Sequence, residues 1–214
     1  NGIDGTTTRI VTTEQADPSF AFADGMNPFR DTDWMAQRRM AFRDLTGQFY
    51  TDILDDVLET PGLKSGGAFT SVGYYDHTDM IKMVVALSKH VDLPVDALVA
   101  AFGEHLFTKL VTKYPALVET CDNTLDFLET VDSTVHKEVL KLYPQAELPS
   151  FACERISPDS LIMRYQSKRP FSQLALGLMR GSANFFEEKL DISFETSENE
   201  QGYAAVFEIN RLHD

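Results

Sequence analysis

Alternating residue types mark one short segment, SLIMRYQSKR, as a place where this chain could bind an anion. Alternate side chains of a strand face the same side, so Tyr165, Ser167 and Arg169 would share a face. Leu161 and Met163 belong to that face, which would therefore turn towards a core. An arginine there requires an anionic partner, such as a carboxylate or phosphate held bidentately, because an unpaired buried charge is costly. The alternative is a strand that ends in solvent, with Arg169 exposed.

His136 is the second candidate, as a ligand for iron or another metal. It lies beside Val139 and Leu140 at the edge of the apolar stripe of a predicted helix. A neutral imidazole in an apolar setting binds such metals well. The alternative is a half-exposed histidine without a ligand role. A zinc site is not expected, because the other histidines form no doublet with cysteine or with one another.

Other motifs give no support for hydrolytic or transfer chemistry. The chain has no GxGxxG or Walker pattern for phosphates and no GxSxG nucleophile elbow. The carboxylates of Asp52, Asp55 and Asp56 are more typical of a solvated helix face than of a catalytic pair. No neighbour in the sequence activates Cys153, which favours a structural cysteine.

The region 34–143 predicts helices, because its apolar residues recur at spacings of three and four. A first helix ends before the break at 61–67. A second follows over 78–91, with Asp76 as its N-cap and Asp79 as an acidic residue in the first turn. The stripe of the first helix is Phe42, Leu45, Phe49, Ile53 and Val57.

Two more helices complete this region. The third begins at Pro94 and ends before Pro115. The fourth is predicted as one continuous helix over 123–143. Its apolar stripe is Leu128, Val131, Val135, Val139 and Leu142.

Beyond Pro149 the apolar period changes to two, which predicts strands. Two strands precede a helix that follows Pro170, and two more form a hairpin around a polar loop, SENEQG, at 197–202. The predicted ranges are 151–155 and 161–166 for the first strands, 171–188 for the helix, and 191–195 and 203–209 for the hairpin. Helices followed by a small antiparallel sheet with one inserted helix indicate an α+β fold.

The composition excludes some partners. Nineteen Lys and Arg against 33 Asp and Glu give a net charge of −14, which argues against binding nucleic acid or an anionic membrane through bulk charge. No apolar run reaches the roughly 20 residues that span a bilayer. The two cysteines, Cys121 and Cys153, favour a reducing cytoplasm. Residues 1–33 show no period and are predicted as an irregular arm before one domain over 34–214.

Three segments together carry a family resemblance. They are the run TSVGYYDHTDMIKMVVALSKHVDLPVDALVAAFGEHLFTKLVTKYP, the run FLETVDSTVHKEVLKLYPQAELPSF, and the motif YQSKR at the expected distance after VHKEVLKLYP. Over about residues 40–209 the chain resembles the haem–nitric-oxide/oxygen-binding (H-NOX) family. The same domain type forms the haem sensor of soluble guanylate cyclase.

The resemblance implies a haem b site. His136 resembles the axial ligand of the haem iron. Tyr165, Ser167 and Arg169 resemble the family's cradle for the haem propionates, which would supply the anion that Arg169 requires. Pro149 resembles the proline that presses on the porphyrin and distorts it. Axial-ligand identity and macrocycle distortion both tune a haem.

The resemblance also implies which gases the haem iron would bind. Oxygen-binding members of the family place a tyrosine in the distal pocket, whereas Leu174 and Leu178 indicate an apolar lining here. A ferrous haem in such a pocket is expected to bind NO and CO, but not O2 stably, because no hydroxyl hydrogen-bonds the dioxygen.

A bacterial sensor, not an enzyme, is the implied function. NO is expected to weaken the bond to His136 and shift the helix that carries it. A separate partner would respond, by family analogy a histidine kinase or a cyclic-di-GMP enzyme.

One stretch departs from the family pattern. The first helix of the family is apolar and lines the distal pocket, whereas WMAQRRMAFRD is polar and carries Arg38 and Arg39. This favours, as the alternative, a haem-free relative that acts as a protein-interaction module. The intact His136 and propionate motif argue against it. A haem oxidase or peroxidase ranks last, because no distal acid–base pair is visible.

Overall fold

The computed structural model of the chain describes residues 47–69 and 74–213. The predicted arm over 1–33, the polar stretch at 34–44 and the first two stripe residues of the first helix lie outside the described residues. The chain divides into two compact units. Of the described residues, the first contains those up to Val95 together with Gln145–Glu147, and the second contains the others.

The first unit contains two helices, α1 (Gly47–Leu58) and α2 (His77–Val91). Asp76 caps α2 as predicted, because its carboxylate accepts hydrogen bonds of 2.8 Å from both the N–H and the hydroxyl of Thr78. Asp92 ends α2 in the left-handed conformation at φ 50°.

Asp79 connects α2 to the segment 61–67, which was predicted to separate the first two helices. The residue is 1% exposed, and its carboxylate accepts hydrogen bonds from the backbone N–H groups of Lys64, at 2.8 Å, and Ser65, at 2.7 Å. Each carboxylate oxygen of Asp79 therefore accepts a hydrogen bond from one backbone N–H of this segment. This satisfies the requirement that buried polar groups be hydrogen-bonded.

The second unit begins with a long helix, α3 (Val95–Lys113), which ends before Pro115 as predicted. A short 3-10 turn, Pro115–Leu117, follows. The predicted helix after Pro170 is α6 (Ser172–Phe185). Gly103 of α3 and Gly177 of α6 meet closely: a Cβ atom on Gly177 would lie 2.9 Å from the Cα of Gly103. The absence of both side chains lets the two helix backbones approach.

The fourth helix occupies the predicted range, but it is not α-helical throughout. The structure has α4 (Thr124–Thr130), a π-helical segment (Val131–Val135) and α5 (His136–Leu142) in succession. The spacing of three and four is compatible with either arrangement, so it could not reveal where the backbone hydrogen bonds change register. The predicted start was correct, since the Asn123 side chain accepts a hydrogen bond from the N–H of Asp126.

Four antiparallel strands form one sheet in the order β1-β2-β4-β3. They are β1 (Ser150–Ser157), β2 (Ser160–Ser167), β3 (Lys189–Asn199) and β4 (Gly202–Leu212). Helix α6 is inserted between β2 and β3. Helices followed by a small antiparallel sheet confirm the predicted α+β class.

The predicted polar loop of the second hairpin was too long. Strands β3 and β4 pair as far as Asn199 and Gly202, which leaves a two-residue turn. The side chain of Asn199 accepts a hydrogen bond of 2.8 Å from the N–H of Gln201, and Gly202 adopts φ 113°. The residues 197–199 are polar because both of their faces are exposed, not because they leave the sheet.

One face of the sheet carries the core of the second unit. Leu161, Met163 and Tyr165 of β2 are 0%, 1% and 3% exposed, which confirms the predicted inward face of that strand. Phe207 and Ile209 of β4 lie beside them and are fully buried. No helix within the described ranges is long and apolar enough to cross a membrane.

Candidate functional site

Tyr165, Ser167 and Arg169 come together where β2 ends and the chain turns towards α6. The hydroxyl of Tyr165 donates a hydrogen bond of 3.2 Å to the backbone carbonyl of Arg169. The N–H of Arg169 donates one of 3.1 Å to the hydroxyl of Ser167. That carbonyl also accepts a bond of 2.9 Å from the N–H of Phe171. The motif therefore folds back on itself and fixes the turn.

Arg169 is 7% exposed, although it lies beyond the last residue of the strand. The alternative of a solvent-exposed arginine is therefore wrong. Burial raises the pKa of the Tyr165 hydroxyl, which keeps that side chain a neutral donor. The turn thus brings the buried Arg169 together with the Tyr165 and Ser167 hydroxyls, which bond to its backbone.

His136 opens α5, directly after the π-helical segment, and its side chain is 15% exposed. Burial lowers the pKa of its imidazole, and the carboxylate of Asp132 opposes that shift. The Nδ1 atom lies 3.5 Å from Oδ1 of Asp132, one helical turn earlier. An imidazole with a lowered pKa is neutral at pH 7 and keeps one nitrogen lone pair for a metal.

Phe151 connects His136 to the β2 motif. Its ring centroid lies 5.6 Å from that of His136 and 5.5 Å from that of Tyr165. The register pairs Phe151 with Tyr165, and Ser150 with Gln166. Pro149, which is partly buried, therefore enters β1 at the same end of the sheet as the motif.

Leu174 and Leu178 lie on α6, and both are partly buried. The carbonyl oxygen of Leu174 and the backbone nitrogen of Leu178 lie against Gly103, 2.6 and 2.9 Å from where its Cβ would be. The side chain of Leu178 also packs against the core cluster that includes Tyr165. The described contacts thus place Leu178 against the core of the second unit and the backbone of Leu174 against α3.

Sequence reasoning missed two residues of this site, Asp132 and Phe151. Oδ1 of Asp132 accepts a hydrogen bond of 3.1 Å from the N–H of Phe151, so it faces both the histidine and the strand. A carboxylate four residues before a candidate ligand on a helix was a usable signal. The position of Phe151 could not be read, because it depends on the pairing of β1 with β2.

The chemistry of these groups suits a haem. A partly buried, neutral imidazole is a suitable axial ligand for iron, and the Asp132 carboxylate beside its other nitrogen is the kind of outer partner that orients such ligands. The Arg169 guanidinium and the two hydroxyls suit the carboxylates of the propionates. These are the residues of this chain that could hold the group.

Comparison with known protein families gives an independent result. A family model described as haem-NO-binding matches residues 42–194, which is most of the chain. No curated protein sequence matches the chain.

Solved structures give the same result. An H-NOX protein from Shewanella woodyi, solved with IWP-051 bound in the Fe(II)CO state, is 37% identical; the match covers 85% of this chain and 94% of that chain, with a TM-score of 0.64. An Fe(II) unliganded H-NOX protein from K. algicida is 28% identical, covering 86% and 95%, with a TM-score of 0.73. One from S. oneidensis in the Fe(II)NO state is 23% identical, covering 85% and 97% with a TM-score of 0.70, and shows the fold alone. The chain therefore belongs to the haem-NO-binding, or H-NOX, family.

Proposed function

We propose that this protein is a haem-based gas sensor that binds NO and CO, with His136 as the axial ligand of a haem b iron. One observation carries the proposal: Phe151 contacts both the partly buried imidazole of His136 and the buried Tyr165, whose hydroxyl bonds to Arg169. A candidate iron ligand and a candidate propionate clamp thus occur in one connected cluster. The proposal agrees with the family membership and with relatives solved in CO and NO states.

Within this proposal, His136 acts as a neutral ligand. Asp132 lies beside Nδ1, which favours the tautomer that leaves the Nε2 lone pair for iron. The haem, when bound, supplies the ferrous iron to which the gas attaches. The chain supplies the imidazole, its orientation and a partly buried setting.

Arg169, Tyr165 and Ser167 would bind the propionates. The guanidinium is almost fully buried, where a hydrogen bond to a carboxylate is stronger than in water. Pro149 lies beside this end of the sheet and would press on the porphyrin, as the family resemblance implies.

The gas preference is proposed from Leu174 and Leu178. Neither side chain has a hydrogen-bond donor, so neither can stabilise dioxygen by a hydrogen bond. NO and CO need no such bond. We therefore propose stable binding of NO and CO and no stable complex with O2.

Signalling would pass through the helix that begins at His136. We propose that its displacement changes a surface read by a separate bacterial partner, a histidine kinase or a cyclic-di-GMP enzyme. We place the protein in the cytoplasm because of its low cysteine content. Residues 1–33 are proposed as an arm outside the sensor domain, which would cover 34–214.

An absorption spectrum of the purified, haem-reconstituted protein tests the proposal. A Soret band that shifts on adding NO to the reduced protein is expected. His136→Ala should abolish haem retention unless external imidazole is supplied, whereas His213→Ala, at a histidine 68% exposed, should retain haem. No Soret band in the reconstituted protein would eliminate the sensor and favour the haem-free interaction module. An O2 complex stable enough to purify would contradict the gas preference.

A further inference from the structure

The two edge strands of the sheet, β1 and β3, differ in how their outer backbone groups are covered. On β1, the N–H of Phe151 donates a hydrogen bond of 3.1 Å to the Asp132 side chain rather than to another strand. The register of β1 also shifts between Arg155 and Ser157, which interrupts the regular edge. Contacts and irregularities of this kind keep an edge strand from pairing with another chain.

Strand β3 has none of these protective features. It is 11 residues long, contains neither proline nor glycine, and keeps an uninterrupted register with β4 from Lys189 to Asn199. Within the described ranges, 47–69 and 74–213, β4 is the one strand that pairs with it. A long, regular edge strand presents a row of unpaired backbone donors and acceptors, which is a template for another strand.

The backbone groups on the open side of β3 belong to Leu190, Ile192 and Phe194. The N–H of Arg211 in β4 donates a hydrogen bond of 2.8 Å to the carbonyl of Asp159, so the backbone of Arg211 points away from β3. Because Arg211 is the register partner of Leu190, that pair is not hydrogen-bonded, and Leu190 directs its N–H and C=O outwards. Every second residue of β3 does the same. No residue in the described part of the chain bonds to these outward groups.

The side chains of β3 fit a second copy of the same strand in one register. Antiparallel pairing centred on Ile192 would place that residue opposite itself and Leu190 opposite Phe194. These three apolar side chains pack against the core but are only partly buried, so the pairing would cover them further. On the other, exposed face of β3, Lys189 would lie opposite Glu195. Opposite charges directly across an antiparallel pair are stabilising.

The neighbouring registers are less favourable. A centre at Asp191 would place that carboxylate opposite its own copy, and a centre at Ser193 would place Asp191 opposite Glu195. Like charges in facing positions destabilise a strand pair. The charge pattern of β3 therefore selects the register centred on Ile192.

We propose that β3 pairs with β3 of a second copy of the chain, antiparallel and centred on Ile192, to form a two-fold symmetric dimer. The four strands of each copy would then join into one continuous sheet. Each facing pair of outward residues would exchange two backbone hydrogen bonds, and one patch would serve both copies, as in most homodimers. The net charge of −14 on each copy opposes association, but this repulsion is screened beyond about 8 Å at physiological ionic strength.

Sedimentation equilibrium of the full chain, with and without haem, tests the dimer. A monomer–dimer equilibrium is expected below about 1 mM, the range of weak, small interfaces. Lys189→Glu and Glu195→Lys should each raise the dissociation constant about tenfold, because two-fold symmetry turns two opposite-charge pairs into two like-charge pairs. Glu208→Lys is the matched control, since it makes the same charge change at an exposed position of the inner strand β4 and should not affect dimerisation.

Combining the two charge reversals tests the register. The double variant should dimerise like the unchanged protein. An equimolar mixture of the two single variants should do so as well, because each reversed charge then faces an opposite charge in the other copy. Changes confined to one copy cannot produce that rescue, so it distinguishes a direct contact from an altered fold.

Hydrogen exchange locates the interface on the strand. As the protein concentration rises, the amides of Leu190, Ile192 and Phe194 should exchange more slowly, whereas the amide of Ser193, which faces β4, should not change. A chain that stays monomeric up to about 1 mM would overturn the proposal. So would a dimer that ignores the charge reversals, shows no rescue in the mixture or protects other amides. The dimer does not involve His136 or Arg169, so a failure to bind haem would count against the sensor function alone.

Discussion

Asp132 and His136 face each other across one helical turn, with Oδ1 of the carboxylate 3.5 Å from Nδ1 of the imidazole. The same oxygen accepts the backbone N–H of Phe151. One carboxylate therefore restrains the candidate iron ligand and links its helix to β1.

Asp132→Asn is expected to weaken haem retention about tenfold, because outer partners of a metal-binding histidine contribute roughly 10- to 100-fold to affinity. The measurement is the rate of haem transfer to an excess of a haem-scavenging protein. Asp122→Asn, at an exposed acid before α4, is the control and should not change that rate. Equal rates in both variants would show that Asp132 does not orient the ligand.

Arg169→Lys is expected to lower haem affinity about tenfold or more, because an ammonium ion cannot reproduce the bidentate guanidinium contacts at a buried position. Titration of the haem-free protein with haem measures this. Arg164→Lys is the control, because it changes an exposed arginine of β2 that pairs with Glu154, and it should be neutral. An affinity for haem that is the same in both variants would contradict the role of Arg169 as a propionate clamp.

Gly177→Ala should destabilise the fold by about 1–3 kcal/mol or more, the usual range for overpacking. The new Cβ would lie 2.0 Å from the carbonyl oxygen of Ala100 in α3, and a backbone atom cannot rotate away as a side chain can. Chemical denaturation measures the loss. Arg180→Ala changes an exposed position of the same helix and should shift the midpoint little.

Stability should fall as the solution becomes acidic, in part through Glu188. Partial burial favours its protonated form, but hydrogen bonds from Thr124 and the ion pair with Arg211 outweigh burial and hold its pKa below the ordinary 4.5. A carboxyl with a lowered folded pKa contributes fully above its unfolded pKa and loses that contribution as the pH falls through the folded pKa.

Glu188→Gln should therefore be less stable than the unchanged protein at pH 7, and its stability should depend less on pH below 4.5. Denaturation curves at a series of pH values measure both effects. Glu200→Gln, in the exposed turn between β3 and β4, should follow the unchanged protein. Parallel pH profiles for all three proteins would exclude the proposed contribution of Glu188.

The sequence predicted those elements whose signals are local. The cap at Asp76, the end of α3 before Pro115 and the inward face of β2 each follow from a few neighbouring residues. Strand alternation placed Arg169 on the inward face, but the sequence left open whether it was buried or exposed, because an unpaired buried charge is costly. The roles of the site residues in binding haem stay predictions.

Features that depend on backbone hydrogen-bond register or on distant residues could not be predicted from the sequence. The π-helical segment preserves the apolar spacing of Val131 and Val135, so periodicity cannot detect it. Arg155 donates hydrogen bonds to Asp126 and Glu129, which lie 29 and 26 positions earlier in the chain. These contacts depend on how β1 lies along α4. Such contacts follow from tertiary packing, which no window of a few residues contains.

The sheet topology also sets an order for folding. Both hairpins close through two-residue turns, at 158–159 and 200–201, so each can form quickly from neighbouring residues. The pairing of β2 with β4 instead joins Ser160 to Asn210, across α6 and the whole of β3. Contacts between residues so distant in sequence are slow to form. The rate-limiting step of folding is therefore expected to be the docking of the two preformed hairpins.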